Sequence, residues 1–217
     1  MSLTDNKPYE LSQMDPIQYP FSKSSSEEIQ RILKSEGIVC FPTETVYGLG
    51  GNALSPKVVE KIFALKKRTP EKSLSVLVNQ EWLRRLANWE DSRVDRIIDA
   101  FWPGPLTLVL PAHPELPGFL KGPQDTIALR WSSSEVVQEM IELGGCPLIG
   151  TSANLSGLPT CLSPTEVQNQ FGEKTPMLVN SGILPENLPT SLLDCSKKPF
   201  ELIRSGSIDL SLLEGFI

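Results

Sequence analysis

The residues able to do chemistry in this chain are few, and most are cations or hydroxyls. Lys66, Lys67, Arg68 and Lys72 place four cations within seven positions of an otherwise acidic chain. Arginine grips phosphate oxygens through paired N–H bonds and lysine adds a point charge, so such a cluster fits a polyphosphate. A helix macrodipole alone favours cations at a helix end by ~0.3–1 kcal/mol, which accounts for one or two of them. Neither a Walker pattern nor a dinucleotide fingerprint accompanies the cluster, so a nucleotide site here is of another design. Arg130 ends the run Ile127-Ala128-Leu129 and Arg204 ends Glu201-Leu202-Ile203. At such a strand end an arginine either snorkels to the rim or reaches into a cavity toward a carboxylate.

Three loops share one character: an apolar run ends and small polar residues with glycines follow at once. They are Thr43 to Gly51, Thr151 to Gly157, and Arg204 to Ser207. In α/β sheets, strand ends of this kind are where ligands bind, although Ser, Asn and Gly also fill ordinary turns. Counting removes other chemistries. The one histidine, His113, lies in Pro111-Ala112-His113-Pro114 and reads as a turn residue, so neither a multi-histidine zinc site nor a Ser-His-Asp triad is expected. Cys40, Cys146, Cys161 and Cys195 are scattered without a Cys-x-x-Cys pair, which predicts buried free thiols and a reducing cytoplasm. No signal peptide or membrane-spanning run is apparent, so no membrane association is expected.

The elements that must position these residues follow from caps and periodicity. With 217 residues, 40% hydrophobic and 21% charged, the chain has a globular composition, and 19 Pro predict many defined turns. Residues 1–24 read as an extended polar arm and 25–217 as one domain. Ser25 with Glu28 forms a capping box for a first helix. The run Ile38 to Phe41 is a strand entering the Pro42–Gly51 loop, and Ser55-Pro56 opens a second helix ending at the cation cluster. Strands are expected over 74–78, 106–110, 126–130, 147–151, 177–180, 191–195 and 201–204. Helices are expected over Val94 to Phe101, after a Ser132–Glu135 box, and after Ser163-Pro164 with Glu166. Several neighbouring strands lack an intervening helix, which favours an α/β fold with a twisted, mixed, open sheet flanked by helices.

Taken jointly, four motifs are specific. The run Pro42-Thr43-Glu44-Thr45-Val46-Tyr47-Gly48-Leu49, the Lys66-x-Arg68 pair, Ser152-Ala153-Asn154-x-Ser156-Gly157 and Ile203-Arg204-x-Gly206 resemble the YrdC-like, threonylcarbamoyl-AMP synthase family in order and spacing. The resemblance covers about nine-tenths of the chain and lacks the extra C-terminal domain of longer members. It implies a concave, positively charged cavity. It also implies a nucleotidyltransferase reaction, in which ATP, L-threonine and bicarbonate become L-threonylcarbamoyl-adenylate and pyrophosphate. Mg2+ is expected on the phosphates, and threonylcarbamoyl transferase proteins would pass the product on to tRNA. Residue by residue, the resemblance implies threonine contacts from Thr45, Arg130, Ser152 and Thr190. It implies ATP contacts from Lys66, Arg68, Lys72, Thr126, Asn154, Arg204 and Ser163, with Leu162 the alternative beside Ser163. Lys66 and Arg68 are the expected catalytic pair. Thr69 and Ser73 stand where proline is common in the family, and Leu77 where some members carry histidine. The competing function is a double-stranded RNA or tRNA binding module built on the concave face, which the net charge of −6 and the lack of a basic stripe oppose.

Overall fold

Caps and prolines cut the chain into short elements whose apolar faces close on two sheets. A computed structural model describes residues 15–67 and 74–216. The described end of the N-terminal arm holds β1 (Ile17–Gln18), so it adds a strand to the sheet. Helix α1 (Lys23–Lys34) begins two residues before the expected capping box: Ser22 is its N-cap and accepts the Ser25 N–H, while Ser25 lies in the first turn. Next come β2 (Val39–Pro42) and β3 (Tyr47–Gly50), both wholly buried. The second half of the expected Pro42–Gly51 loop is therefore a strand, paired antiparallel to β2. Its glycines conceal the strand pattern and are there for space. A Cβ on Gly50 would lie 1.8 Å from the Ile149 carbonyl oxygen, so only glycine lets the two backbones meet.

Helix α2 (Pro56–Lys66) starts at the expected Ser55 cap and ends at Lys67, which is in the left-handed region with φ 51°. Beyond it come β4 (Ser75–Leu77), α3 (Gln80–Leu86) and α4 (Ser92–Phe101), of which α3 is short and was not expected. Then follow β5 (Leu106–Pro111), β6 (Thr126–Arg130) and α5 (Glu135–Gly144). The N-cap of α5 is Ser134. Ser132 does not cap the helix with Glu135, because its hydroxyl is taken by Glu44 and by the Ser134 N–H. The single strand expected over 147–151 is broken at Gly150 into β7 (Leu148–Ile149) and β8 (Thr151–Ser152). The chain ends with α6 (Pro164–Phe171), β9 (Met177–Asn180), β10 (Ser191–Asp194), β11 (Glu201–Arg204) and α7 (Leu210–Leu213).

Where one sheet was expected there are two, both mixed. One has the order β1-β9-β2-β3-β8 and the other β11-β10-β5-β6-β4-β7. β7 and β8 are adjacent in sequence and belong to different sheets, so Gly150 joins the two. One buried cluster packs Ile29 and Leu33 of α1 and Val137, Met140 and Ile141 of α5 on Val39 and Phe41 of β2. The larger cluster fills the remainder, from Val58 and Ile62 of α2 to Leu106 and Leu108 of β5. The division leaves a cleft between the sheets, into which the loop after β2 and the ends of β6, β8 and β11 project.

Candidate active site

The cleft holds a cavity of about 380 Å³, within the range of small-molecule sites. Thr43, Thr45 and Gly48 line it from the first sheet, Thr107, Arg130 and Arg204 from the second. Thr151 and Ser152 sit at the junction, and Thr190 precedes β10. The three loops singled out by composition thus meet at one place. Of the residues implied by the resemblance, Thr45, Arg130, Ser152, Thr190 and Arg204 line this cavity together.

Thr45 is held ready by its neighbour. The Thr43 hydroxyl accepts from the Thr45 and Val46 N–H groups at 3.2 Å and donates to the Val46 carbonyl at 2.7 Å. This hydroxyl-closed turn fixes the loop. The Thr45 hydroxyl then accepts from Arg130 Nη2 at 3.3 Å. Arg130 is buried at the end of β6, where β4 and β5 flank it, and its Nη2 also meets the Glu44 carboxylate at 2.7 Å. The other Glu44 oxygen accepts from the buried Ser132 hydroxyl. In the sequence alone, Glu44 carries no role of its own and Ser132 only that of a helix cap. The pairing of Glu44 with Arg130, which lies on the other sheet, has no local signal in the sequence.

On the opposite wall, Arg204 donates through Nε to the Thr190 carbonyl at 3.0 Å and through Nη2 to the Thr190 hydroxyl at 2.9 Å. The Thr107 hydroxyl donates to the same oxygen at 3.4 Å, extending the polar wall to β5. Gly206 permits the arrangement, since a Cβ there would lie 2.1 Å from the Pro189 carbonyl. Partial burial, and then the charge of Arg130, hold the Arg204 guanidinium below its ordinary value. An anion bound beside Arg204 would favour its charged form.

The other implied residues lie elsewhere. Lys66 is buried, and its ammonium donates to the Ser152 carbonyl, to the Asn154 carbonyl at 2.6 Å and to Asn154 Oδ1 at 3.3 Å. The Asn154 amide closes its own loop, donating to Leu155 O at 3.1 Å and Leu158 O at 2.6 Å. Ser163 caps α6 by accepting the Glu166 N–H at 3.2 Å, as expected from its sequence. Thr126 starts β6, four residues from Arg130, and donates to Pro123 O at 2.8 Å. None of these four side chains lines the cavity. Arg68 and Lys72, with Thr69 and Ser73, lie outside the described residues. Among the described residues no group of three or more His, Cys, Asp and Glu side chains could hold a metal, and no helix is long and apolar enough to cross a membrane.

Two mixed sheets enclosing a hydroxyl- and arginine-lined cavity define the class of protein. The Sua5/YciO/YrdC family model, described as "Telomere recombination", matches residues 31–206, and the chain belongs to that family. Among its relatives, the threonylcarbamoyl-AMP synthase of Pyrococcus abyssi is 36% identical over 181 residues, 83% of this chain and 53% of that protein. The chain therefore spans about half the length of that relative. The threonylcarbamoyl-AMP synthase of Yersinia enterocolitica is 38% identical over 161 residues, 72% of this chain and 84% of that protein. The solved structure of P. abyssi Sua5 complexed with L-threonine superposes with a TM-score of 0.86 and 32% identity, over 93% of this chain and 60% of that one.

Proposed function

We propose that this chain makes L-threonylcarbamoyl-adenylate and pyrophosphate from ATP, L-threonine and bicarbonate. The observation that carries the reading is the preformed Arg130–Thr45 pair, 3.3 Å apart, in a cavity whose opposite wall is the Arg204–Thr190 pair. Arg130 then takes the threonine carboxylate and Thr45 the side-chain hydroxyl, leaving the amine toward Arg204. The relatives named threonylcarbamoyl-AMP synthase and the threonine complex support the same substrate.

The amine gives up a proton and attacks the carbon of bicarbonate, with loss of water, to form a carbamate. A carbamate oxygen then attacks the α-phosphorus of ATP and expels pyrophosphate. Both partners of the second step are anions, so the site must offset their repulsion and hold them in line. Arg204 supplies fixed charge for this, and the Thr190 and Ser152 hydroxyls supply hydrogen bonds. Arg68 and Lys72 are assigned to the triphosphate from their place in the motif. Lys66 acts one layer back, as the buried ammonium that gathers Ser152 and Asn154 into one loop. Among the described residues no carboxylate lines the cavity, so Mg2+ would be carried on the phosphates, where it neutralises charge on the leaving group. The four cysteines are free and buried, which fits a reducing cytoplasm. The product is a mixed anhydride, suited to a following transferase that delivers it to tRNA.

The test is pyrophosphate release measured in degassed buffer. Release should require threonine and bicarbonate together, and a threonine blocked at its amine should give none. Full release from ATP and threonine without bicarbonate would overturn the reading.

A further inference from the structure

Glu44 does not line the cavity, yet it is the carboxylate set against one of the two arginines that do. The pair is well shielded from water, with side-chain exposures of 16% for Glu44 and 10% for Arg130. The Ser132 hydroxyl fixes the second Glu44 oxygen, and the Ser134 hydroxyl anchors the next turn to the Pro42 carbonyl at 3.0 Å. Arg204 is different: among the described residues its hydrogen bonds go to the neutral Thr190, and no carboxylate pairs with it. The cavity is therefore close to electroneutral at its Arg130 end and carries an uncompensated cation at its Arg204 end.

We propose that Glu44 is a positioning and specificity residue that orients Arg130 and cancels its charge, so that this end accepts a zwitterionic amino acid and rejects polyphosphate. A zwitterion has no net charge and loses little by meeting a neutral pair. A triphosphate at the same place would be brought close to the Glu44 carboxylate, a repulsion that a low local dielectric magnifies. Glu44 thus decides which arginine each substrate uses and prevents ATP from binding with its phosphates in the amino-acid pocket. The proposal rests on the reading that threonine lies at Arg130.

Titration calorimetry with threonine and inorganic tripolyphosphate tests it on the whole chain. In the native protein tripolyphosphate should bind without displacing threonine. In Glu44→Gln, which keeps the shape and loses the charge, tripolyphosphate should compete with threonine at Arg130 and bind roughly tenfold or more tightly than to the native protein. Glu44→Asp should restore independent binding. The double variant Glu44→Gln/Arg130→Gln, which removes both charges of the pair together, should leave tripolyphosphate affinity unchanged, a measurement that decides the matter even if Glu44→Gln alone does not fold. Independent binding in folded Glu44→Gln, or a tripolyphosphate affinity that falls in the double variant, overturns the assignment. A native protein that binds no threonine overturns the functional reading itself, and this proposal with it.

Discussion

Arg130 and Lys66 are both buried cations, but they are neutralised in different ways and should fail differently when replaced. Arg130 faces the cavity. Arg130→Ala should raise the threonine KM by roughly 10–150-fold, the equivalent of about 1.5–3 kcal/mol for a charge-assisted bond, with ATP affinity nearly unchanged. Steady-state kinetics with each substrate varied in turn checks this. Lys66 faces the protein, and Lys66→Met strands the Ser152 and Asn154 carbonyls without their donor. Leaving buried acceptors unpaired costs about 1–3 kcal/mol each, so the variant should melt well below the native protein before any effect on ATP is considered. An unchanged melting temperature with lost ATP affinity would instead make Lys66 a phosphate ligand. At this scale the arginines were legible, because each ends a recognisable strand. The destination of Lys66 was not: its acceptors are about 86–88 residues away in sequence, and a helix-end lysine looks the same whether it points to solvent or inward.

Among the elements, the caps carrying a proline at the first helical position, Ser55-Pro56 and Ser163-Pro164, fall where the sequence put them. The Ser25 and Ser132 boxes do not: Ser22 caps the first helix through a local bond to the Ser25 N–H, and the Ser132 hydroxyl is taken by Glu44. The strand β3 was hidden by its two glycines, whose reason lies in other strands. Two substitutions test these elements. Gly50→Ala forces a methyl into the Ile149 carbonyl oxygen, across the seam between the sheets. It should destabilise the protein by more than about 3 kcal/mol, the range reserved for severe packing errors, as read by urea denaturation. Lys67→Gly removes the strain of a side chain at φ 51°. Since the left-handed conformation costs an L-residue roughly 1–2 kcal/mol and glycine brings extra unfolded-state entropy, the net gain should be a few tenths to about 1 kcal/mol.

For the molecule as a whole, all four cysteines are buried free thiols. Burial pushes Cys146 up to about 11, Cys161 to about 11 and Cys195 to about 12, and raises Cys40 further. In the unfolded chain these thiols ionise near pH 8.5, so above that pH the unfolded state holds fewer protons and stability falls as pH rises toward about 11. Denaturant midpoints should therefore decline between pH 8.5 and 10.5, and replacing Cys40 or Cys195 by Ala should flatten the decline. The two-sheet plan also has a consequence in time. β2 pairs on one side with β3, only five residues further on, and on the other with β9, about 140 residues later. At a synthesis rate of about 5–20 residues per second, roughly 7–28 s pass before that second partner leaves the ribosome. For that interval a strand buried along its whole length keeps one edge open in the nascent chain, which leaves Val39 and Cys40 exposed to wrong edge pairing.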